Sequence, residues 1–384
     1  MEMWTTPQML PWVTLLSLLP GLCVGSFLNV CIYRWPRDMS VDQPRRSFCP
    51  GCQRSLSWLE NVPAVSWLLQ RGRCRGCGMR IPLRYPVVEL ATALIFASVT
   101  AQFWLVDVRL VLPFWIFSSL LLVGTVVDVE FYILPDQTTL GLALVGVVCS
   151  ALVPSMHGMV GVMSGLGASL LGAATGFGML WVVAELGKRF LGTVRHAFAE
   201  PVRFEWRRTG DLAEIRFDGE TSSWNELFYR KSDRVRLGFT KMRLVRSDGS
   251  AFEMGAGEAE AALERWNAGG EVHDLNAVDV IELEVTQLSL PREAMGFGDV
   301  KLMAGVGAFL GWKGAVVTVF GGACVGSFWA VVASVLGRRE WAARIPFGPF
   351  LSVAALGWVF FGRHLEPFLG RFRLVWEAVT QQAR

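Results

Sequence analysis

Two stretches decide how this chain folds: LLLVGTVVDVEFYILPD at 120–136 and GFGDVKLMAGVGAFLG at 296–311. Each stretch holds an aspartate, Asp128 or Asp299, at the edge of an apolar run. A carboxylate at the boundary of a membrane span is costly to remove from water, so it needs a partner or a chemical role. Two of them at helix ends can meet near one membrane face and share a proton, as in an aspartic protease. Peptide hydrolysis within or beside the membrane is therefore the leading hypothesis.

The composition indicates a helical membrane protein. Of 384 residues 52% are hydrophobic, and the chain carries 16 Trp and 40 Gly. Apolar segments rich in Gly and Trp are common in membrane helices and rare in soluble proteins. This composition makes membrane lipid the expected surrounding. The formal charge of only +3 gives no indication of a nucleic-acid partner. We predict an α-helical polytopic membrane protein with about eight transmembrane helices, a cytoplasmic zinc-knuckle loop domain and a soluble α+β insertion.

Hydropathy divides the chain into six segments. Eight apolar runs are candidate spans, and the weakest, 300–310, is either separated from 315–336 by a turn or part of one longer span. The eight runs are 9–33, 86–105, 110–127, 138–153, 160–186, 300–310, 315–336 and 347–361. The predicted segments are a first transmembrane helix at 1–33, a four-cysteine zinc-binding domain at 34–85, helices with the first catalytic Asp at 86–187, the insertion at 188–294, helices with the GxGD Asp at 295–362, and a C-terminal tail at 363–384.

Residues 188–294 break the membrane pattern. Apolar and charged residues alternate at 202–206 and 278–285, which predicts half-buried strands. Between them GEAEAALERWN at 257–267 is rich in helix-forming residues and predicts one short helix. The insertion is thus expected to be a small α+β domain that folds on its own.

Basic clusters set the expected topology. Arginines gather between Arg34 and Arg84, and further basic residues stand at 188–189 and 338–344. By the positive-inside rule these clusters are cytoplasmic, which returns Asp128 and Asp299 to the same membrane face. The N-terminus lacks a basic region before its apolar stretch, so we expect a retained first span rather than a removed signal peptide.

Four cysteines form two CxxC pairs. Cys49 and Cys52 precede Cys74 and Cys77, and 21 residues separate the pairs. Thiolates at this spacing can close a tetrahedral zinc site, and a reducing cytoplasmic loop disfavours disulfides. Four protein ligands leave no open position for substrate, so the predicted zinc is structural rather than catalytic.

Each aspartate has neighbours that bear on its role. Glu130 and Asp136 compete with Asp128, which we prefer because it ends the apolar run. Pro135 should break the helix after Asp128, and Asp136 is then expected to cap the next helix. Before Asp299, the glycines Gly296 and Gly298 permit close approach of a backbone and positive φ. The alternative is that Asp128 and Asp299 only cap helices and take no part in a reaction.

Other chemistries find less support. The chain has no HExxH motif, and Ser26 between glycine and phenylalanine fits close helix packing better than a nucleophile. A membrane transporter would also place carboxylates between helices, but it would not need the CxxC pairs. A noncatalytic scaffold would tolerate replacement of both aspartates.

The motifs together resemble the bacterial prepilin peptidases, the type IV leader peptidases of pilus and type II secretion systems, which are aspartic proteases of the GxGD type. The resemblance covers about 15–187 and 291–362. It rests on GSFLNV at 25–30, the two CxxC pairs, NVP at 61–63, RYPVVE at 84–89, Asp128 with LPD at 134–136, and GFGDVKLMAGVGAFLG at 296–311.

The resemblance implies two activities in the bacterial cytoplasmic (inner) membrane, with the active site near the cytoplasmic face. One is removal of the basic leader of prepilins or pseudopilins after a glycine. The other is N-methylation of the new N-terminus with S-adenosylmethionine; a peptidase without this second step is the nearest alternative. The implied roles are a catalytic pair in Asp128 and Asp299, zinc ligands in the four cysteines, and a contribution of Glu89 and the cysteine loop to methylation. Lys301 either contacts a substrate carboxylate or extends its ammonium group to the membrane interface.

Two features depart from that family. Glu130 stands where the family often has a second aspartate, and residues 188–294 replace a short loop. The insertion is either a docking module or a passive addition, and the sequence leaves both open.

Overall fold

The structure is a computed structural model that describes residues 6–44, 46–191, 193–209, 212–217, 220–224, 234–291, 295–336 and 346–382. The chain divides into two compact units. One unit combines Met1–Val182 with Gly296–Arg384, and the other is Val183–Met295. We call them the helical unit and the sheet unit.

Apolar helices dominate the helical unit. Among the described residues, five candidate spans are long and apolar enough to cross a membrane, and a sixth apolar helix, Asp136–Leu152, is shorter. The five are Leu10–Arg37, Arg84–Phe103, Val108–Phe131, Val162–Gly187 and Phe297–Val335. The helices are α1 (Leu10–Leu16), α2 (Leu18–Arg34), α3 (Val65–Leu69), α4 (Arg84–Phe103), α5 (Val111–Phe131), α6 (Asp136–Leu152), α7 (Val162–Leu191), α8 (Phe297–Val335) and α9 (Gly348–Gln382). The described residues thus contain apolar helices of membrane-spanning length, as predicted, while the count of about eight spans stays a prediction.

Helix α8 changes direction at Gly311, which has φ 69° and ψ 178° inside an otherwise helical stretch. A methyl group built on Gly176 of α7 would meet the carbonyl of Met303 and, at 3.5 Å, the side chain of Ala315. Twelve residues of straight helix span about 18 Å, so α8 must fold back between these two residues. A positive φ is open to glycine at little cost. The turn considered between 310 and 315 therefore exists, within one continuous assignment of helix.

Small residues bring helices α7 and α8 into backbone contact. A methyl group on Gly172 would overlap the carbonyl of Gly307 and lie 2.7 Å from the Cα of Gly311. Such glycine contacts are the usual means of close helix packing in membranes, where apolar burial between helices provides little driving force. They hold the segment that follows Asp299 against its neighbour.

In its described ranges the sheet unit forms an antiparallel sheet of nine strands. Their order is β3-β2-β1-β9-β4-β6-β7-β8, and β5 pairs with β4. The strands are β1 (Thr193–Thr209), β2 (Leu212–Phe217), β3 (Glu220–Ser223), β4 (Val235–Arg246), β5 (Ala251–Met254), β6 (Gly257–Ala261), β7 (Arg265–Ala268), β8 (Glu271–Asp274) and β9 (Val278–Pro291). The strands predicted at 202–206 and 278–285 are confirmed as parts of β1 and β9.

The helix predicted at 257–267 is wrong. That segment forms strands β6 and β7, which pair with each other, and β6 also pairs with β4. Ala259 and Ala261 are buried while Glu258 is exposed, so the run also has the period-two pattern of a strand. Helix propensity is a weak preference, and pairing with β4 overrides it. The described part of the insertion is therefore a sheet domain rather than the α+β domain that was expected.

Candidate active site

Asp128 lies at the end of α5 with its side chain buried; the residue is 6% exposed. Its Oδ2 accepts a hydrogen bond of 3.0 Å from the backbone N–H of Gly348, which begins α9. The first N–H groups of a helix have no partner within the helix and can therefore bind a carboxylate. The start of α9 thus fixes one oxygen of Asp128.

Asp299 lies in the first turn of α8, and the residue is 8% exposed. Its backbone N–H donates to the carbonyl of Gly296 at 3.1 Å. Its Oδ1 is buried and has no hydrogen-bond partner among the described residues. A buried polar atom without a partner is uncommon and marks a place where water or substrate can bind.

The two aspartates are neighbours in space. Their carboxylates are close enough to interact electrostatically. Leu134 fills the corner between them, because one of its methyl carbons lies within 3.5 Å of the Cβ positions at both Gly298 and Gly348. A residue with a side chain would not fit at position 348, because a Cβ there would lie 2.7 Å from Oδ2 of Asp128.

Glu130 and Asp136, the other candidates for the first catalytic role, differ from Asp128 in exposure and in their partners. Glu130 is exposed and forms an ion pair with Arg84. Asp136 is exposed and accepts a hydrogen bond of 2.7 Å from Lys301. Asp136 makes no capping bond, so its predicted role as a cap is wrong; Pro135 is the residue that precedes the helix.

The glycines before Asp299 act differently from one another. Gly296 has φ −64° and Gly298 is not among the residues with positive φ, so neither glycine uses the left-handed conformation that it permits. Close approach does occur at Gly298, where a Cβ would lie 3.0 Å from the Cβ of Leu134. A side chain at Gly298 would push Leu134 out of the corner between the aspartates.

The four predicted zinc ligands meet in one cluster. Their Sγ atoms all lie within 4.8 Å of one another, and those of Cys49 and Cys77 are 3.8 Å apart. Zinc–sulfur bonds of about 2.3 Å in a tetrahedron place sulfurs roughly 3.8 Å apart, so the cluster fits a zinc ion.

The two CxxC turns share one backbone pattern. The N–H of Cys49 donates to the carbonyl of Arg54, and the N–H of Cys74 donates to that of Met79, five residues on in each case. The backbone N–H groups of Cys77 and Gly76 lower the pKa of the Cys74 thiol to about 6. Hydrogen bonds of this kind stabilise the thiolate that binds metal.

Glu89 is buried in α4, away from the aspartate pair. It accepts a hydrogen bond of 2.7 Å from the backbone N–H of Ala64, in the cysteine-rich segment, and also interacts with the Ser26 hydroxyl of α2. A Cβ on Gly25 would lie 2.7 Å from the Cα of Glu89, so α2 and α4 are in close contact here.

Two family models match this chain, one over the segment with the cysteine cluster and one over the segments with the two aspartates. The Bacterial Peptidase A24 N-terminal domain matches residues 19–103, and the Type IV leader peptidase family matches 115–197 and 280–331. A prepilin leader peptidase/N-methyltransferase of Neisseria gonorrhoeae is 31% identical over 208 residues, which are 47% of this chain and 68% of that protein. The chain belongs to the type IV leader peptidase family.

Two further relatives with the same name agree with this assignment. The protein of Aeromonas hydrophila is 28% identical over 377 residues, or 91% of each chain. That of Myxococcus xanthus is 43% identical over 158 residues, or 41% of this chain and 44% of the relative. No solved structure matches the chain. The N-terminal domain match contains the four cysteines and Glu89, and the leader peptidase match contains both aspartates.

Sequence reasoning missed the contact of Gly348 with Asp128, and it quoted Leu134 only as part of the LPD motif, without placing it beside the aspartate pair. Pro349, directly after Gly348, is a signal for a helix start that the sequence offered. Nothing local in the sequence indicates that this start meets Asp128, which is 220 residues away.

Proposed function

We propose that this chain is an aspartic endopeptidase that removes the basic leader of type IV prepilins or pseudopilins after a glycine and then methylates the new N-terminus. The observation that supports it best is the pair of buried carboxylates, Asp128 and Asp299, brought together from two helices. Relatives of this chain are named prepilin leader peptidase/N-methyltransferase.

The chemistry of cleavage follows from the pair. Two carboxylates at close range share one proton, so one can accept a proton from water while the other donates one. The water oxygen then bonds to the peptide carbonyl carbon, and the leaving nitrogen takes the donated proton as its C–N bond breaks. Gly348 holds one oxygen of Asp128 in place, and Oδ1 of Asp299 remains available to the water. The pair acts as a unit, so the acid and base roles belong to both.

Methyl transfer would use S-adenosylmethionine, as the N-methyltransferase name of the relatives implies. The cysteine cluster would hold structural zinc, because four thiolates complete its coordination and leave no position for substrate. When bound, zinc would supply a fixed cross-link between two distant turns of the cysteine-rich segment.

A cytoplasmic active site in the inner membrane agrees with the charge distribution. Arg84 pairs with Glu130, and the Arg37 guanidinium lies 5.1 Å from the centre of the Phe131 ring. The arginine-rich segment 34–85 therefore contacts the end of α5 that carries Asp128. Arginines beside a membrane span favour the cytoplasmic side. Arg338, Arg339 and Arg344, which supported the same topology, lie outside the described residues.

Mass spectrometry of a prepilin leader peptide tests the proposal. The peptide is incubated with purified protein and S-adenosylmethionine, in parallel with Asp128→Asn and Asp299→Asn. We expect wild type to cut after glycine and to add one methyl group to the product, and each variant to lose at least about 1,000-fold in rate.

Asp279→Asn, an exposed substitution of the same kind in the sheet unit, is the matched control and should cleave like wild type. Cleavage that survives both active-site substitutions would refute the aspartate mechanism. Cleavage without a methyl increment would leave a peptidase alone.

A further inference from the structure

Cleavage after glycine sets a requirement that the aspartate pair alone does not meet. A peptide with alanine before the scissile bond contains every heavy atom of the glycine peptide and one methyl group more. An attractive contact therefore cannot favour glycine over alanine. A site selects glycine by size only when a group of the protein occupies the space that the extra methyl needs. We therefore looked for a side chain that lies close to both aspartates.

Leu134 lies beside both aspartates. It belongs to the short connection between α5 and α6. Its Cδ1 lies 3.4 Å from the Cβ position at Gly298, the neighbour of Asp299. The same carbon lies 3.5 Å from the Cβ position at Gly348, whose N–H binds Asp128. One methyl group thus reaches the backbones that carry or fix the two carboxylates.

A third glycine completes the surroundings of Leu134. Its other methyl carbon, Cδ2, lies 3.4 Å from the Cβ position at Gly124, one turn before Asp128 in α5. Its Cβ lies 3.0 Å from the Cβ position at Gly298, which is closer than ordinary carbon–carbon contact. Because these backbones carry no side chains, Leu134 packs nearer to the aspartates than it could beside larger residues.

The backbone on either side of Leu134 is held in place. The Tyr132 N–H donates to the carbonyl of Asp128 at 2.9 Å. The N–H and the hydroxyl of Thr138 donate to the carbonyl of Pro135 at 2.9 and 2.8 Å. A residue that precedes proline is restricted to extended backbone, which limits Leu134 further. Its methyl groups therefore form a stiff wall, as the exclusion of a single methyl group requires.

Leu134 differs in exposure from the leucines that only pack helices. Leu121 of α5 and Leu142 of α6 are both 0% exposed. Leu134 is instead half-buried, although it lies between two buried aspartates. Part of its side chain is thus open to a peptide that approaches the carboxylates from outside.

We propose that Leu134 is a specificity-determining residue of the peptidase, and that its methyl groups occupy the space in which a side chain before the scissile bond would lie. The inference rests on the proposed function. The Cβ of that substrate residue lies about 2.5 Å from its own carbonyl carbon, which water attacks beside the carboxylates. Two methyl carbons need about 4 Å between them, so an alanine methyl and Cδ1 of Leu134 compete for one corner.

The test compares two synthetic leader peptides that differ only in glycine or alanine before the scissile bond. Full-length wild type in detergent should cut the alanine peptide with a kcat/KM at least about 100-fold below that of the glycine peptide. Leu134→Ala empties the corner and should raise the ratio of alanine to glycine cleavage at least about tenfold. Both peptides are measured on one preparation, so any loss of folded protein cancels from the ratio.

Two further variants serve as controls. Leu140→Ala removes the same atoms from a position of α6 that is 51% exposed, and it should keep the wild-type ratio. Leu134→Met conserves the volume in the corner, so its ratio should stay within about threefold of wild type. A change in the ratio that appears in Leu134→Ala alone therefore reports the space beside the scissile bond.

Several outcomes would overturn the inference. A wild-type ratio in Leu134→Ala would show that glycine is selected for a backbone with positive φ rather than for its size. Equal cleavage of both peptides by wild type would show that no group excludes the methyl. If Leu134→Ala cuts neither peptide, Leu134→Val, which removes one carbon, is measured in its place and should raise the ratio at least about threefold.

The same experiment separates this inference from the proposed function. Loss of both cleavages in Leu134→Ala and Leu134→Val would show that Leu134 supports the aspartates instead of contacting substrate, and cleavage by wild type would stand. Failure of wild type to cut the glycine peptide would refute the proposed function, and the inference would fall with it.

Discussion

At the scale of single residues, backbone groups build the aspartate site as much as side chains do. The N–H of Gly348 binds Asp128, and the missing side chain of Gly298 leaves room for Leu134. Oδ1 of Asp299 is buried and has no hydrogen-bond partner in the described structure. The site is thus one fixed carboxylate beside one that is free to bind water, which suits a pair that must exchange protons.

Gly348→Ala should damage the site although no catalytic group is removed. The new methyl would lie 2.7 Å from Oδ2 of Asp128, closer than nonbonded carbon and oxygen can approach, so the carboxylate must move. Moving a catalytic carboxylate out of position is expected to lower the cleavage rate by about 100-fold. The rate of leader-peptide cleavage by the variant and by wild type measures this effect.

Gly357→Ala provides the control in the same helix. A Cβ there meets nothing within 4 Å, so the cleavage rate should equal that of wild type. Equal rates for both alanine variants would show that α9 does not position Asp128.

Both aspartates could be predicted from the sequence because a carboxylate that ends an apolar run is a local signal. The partners could not, since Gly348 and Leu134 act through contacts that only folding creates. The same limit explains Asp136. Its place after Pro135 suggested a cap, but in the folded chain Lys301, 165 residues away, binds its carboxylate.

Asp107 provides a pH-dependent prediction outside the membrane spans. Hydrogen bonds from Arg109, and further bonds from Ser155, lower the pKa of this carboxyl to about 2 from an ordinary 3.8. A lowered pKa means that the folded state is stabilised above pH 3.8 and loses this contribution as pH falls through 2.

Asp107→Asn should therefore lower the Tm by about 2–4 °C at neutral pH. The difference from wild type should shrink as pH falls from 3.8 towards 2, because the wild-type carboxyl becomes protonated. Thermal unfolding in detergent over this pH range measures it. A difference that is the same at every pH would exclude the carboxylate charge as its source.

At the scale of elements, the two CxxC turns show why a spacing pattern can be more informative than propensity. Each turn repeats one hydrogen-bond pattern, and together they place Cys49 and Cys77 sulfurs 3.8 Å apart. By contrast, the residues of β6 and β7 favour helix in isolation, and long-range strand pairing decides their structure. Ligand spacing is fixed by the metal, whereas propensity is readily overridden.

The cysteine cluster should carry one zinc ion per chain. Cys49→Ser should reduce the zinc content to near zero, since three thiolates remain and the tetrahedron is incomplete. Native mass spectrometry measures the stoichiometry. Cys23→Ser alters an exposed cysteine of α2 outside the cluster and should retain the zinc. If metal-free wild type unfolds at the same temperature as the zinc-loaded protein, the zinc ion does not stabilise the fold.

At the scale of the whole molecule, the chain consists of two units whose surfaces suit different surroundings, lipid for the helical unit and water for the sheet unit. The helical unit exposes large apolar side chains such as Leu94 and Leu144, which suit lipid. The sheet unit instead has its own core of buried aromatic and aliphatic residues, including Trp206, Trp266 and Ile281. Neighbouring strands carry paired charges at exposed positions, such as Arg203 of β1 with Glu282 of β9, as a water-facing sheet requires.

This division predicts that the sheet unit can be removed without loss of cleavage. Asp128, Asp299, Gly348 and Leu134 all belong to the helical unit, and so does the cysteine cluster. A protein that lacks 193–291, joined by a short glycine-serine linker, should cut a synthetic leader peptide within about twofold of the wild-type rate.

A full-length prepilin serves as the second substrate in the same experiment. If the sheet unit docks the substrate, deletion should raise KM for the prepilin and leave KM for the short peptide unchanged, because only the prepilin carries a folded mature part far from the scissile bond. If it is passive, neither KM changes. A fall in kcat for the short peptide would instead contradict the assignment of the whole cleavage site to the helical unit, since kcat then depends on residues outside it.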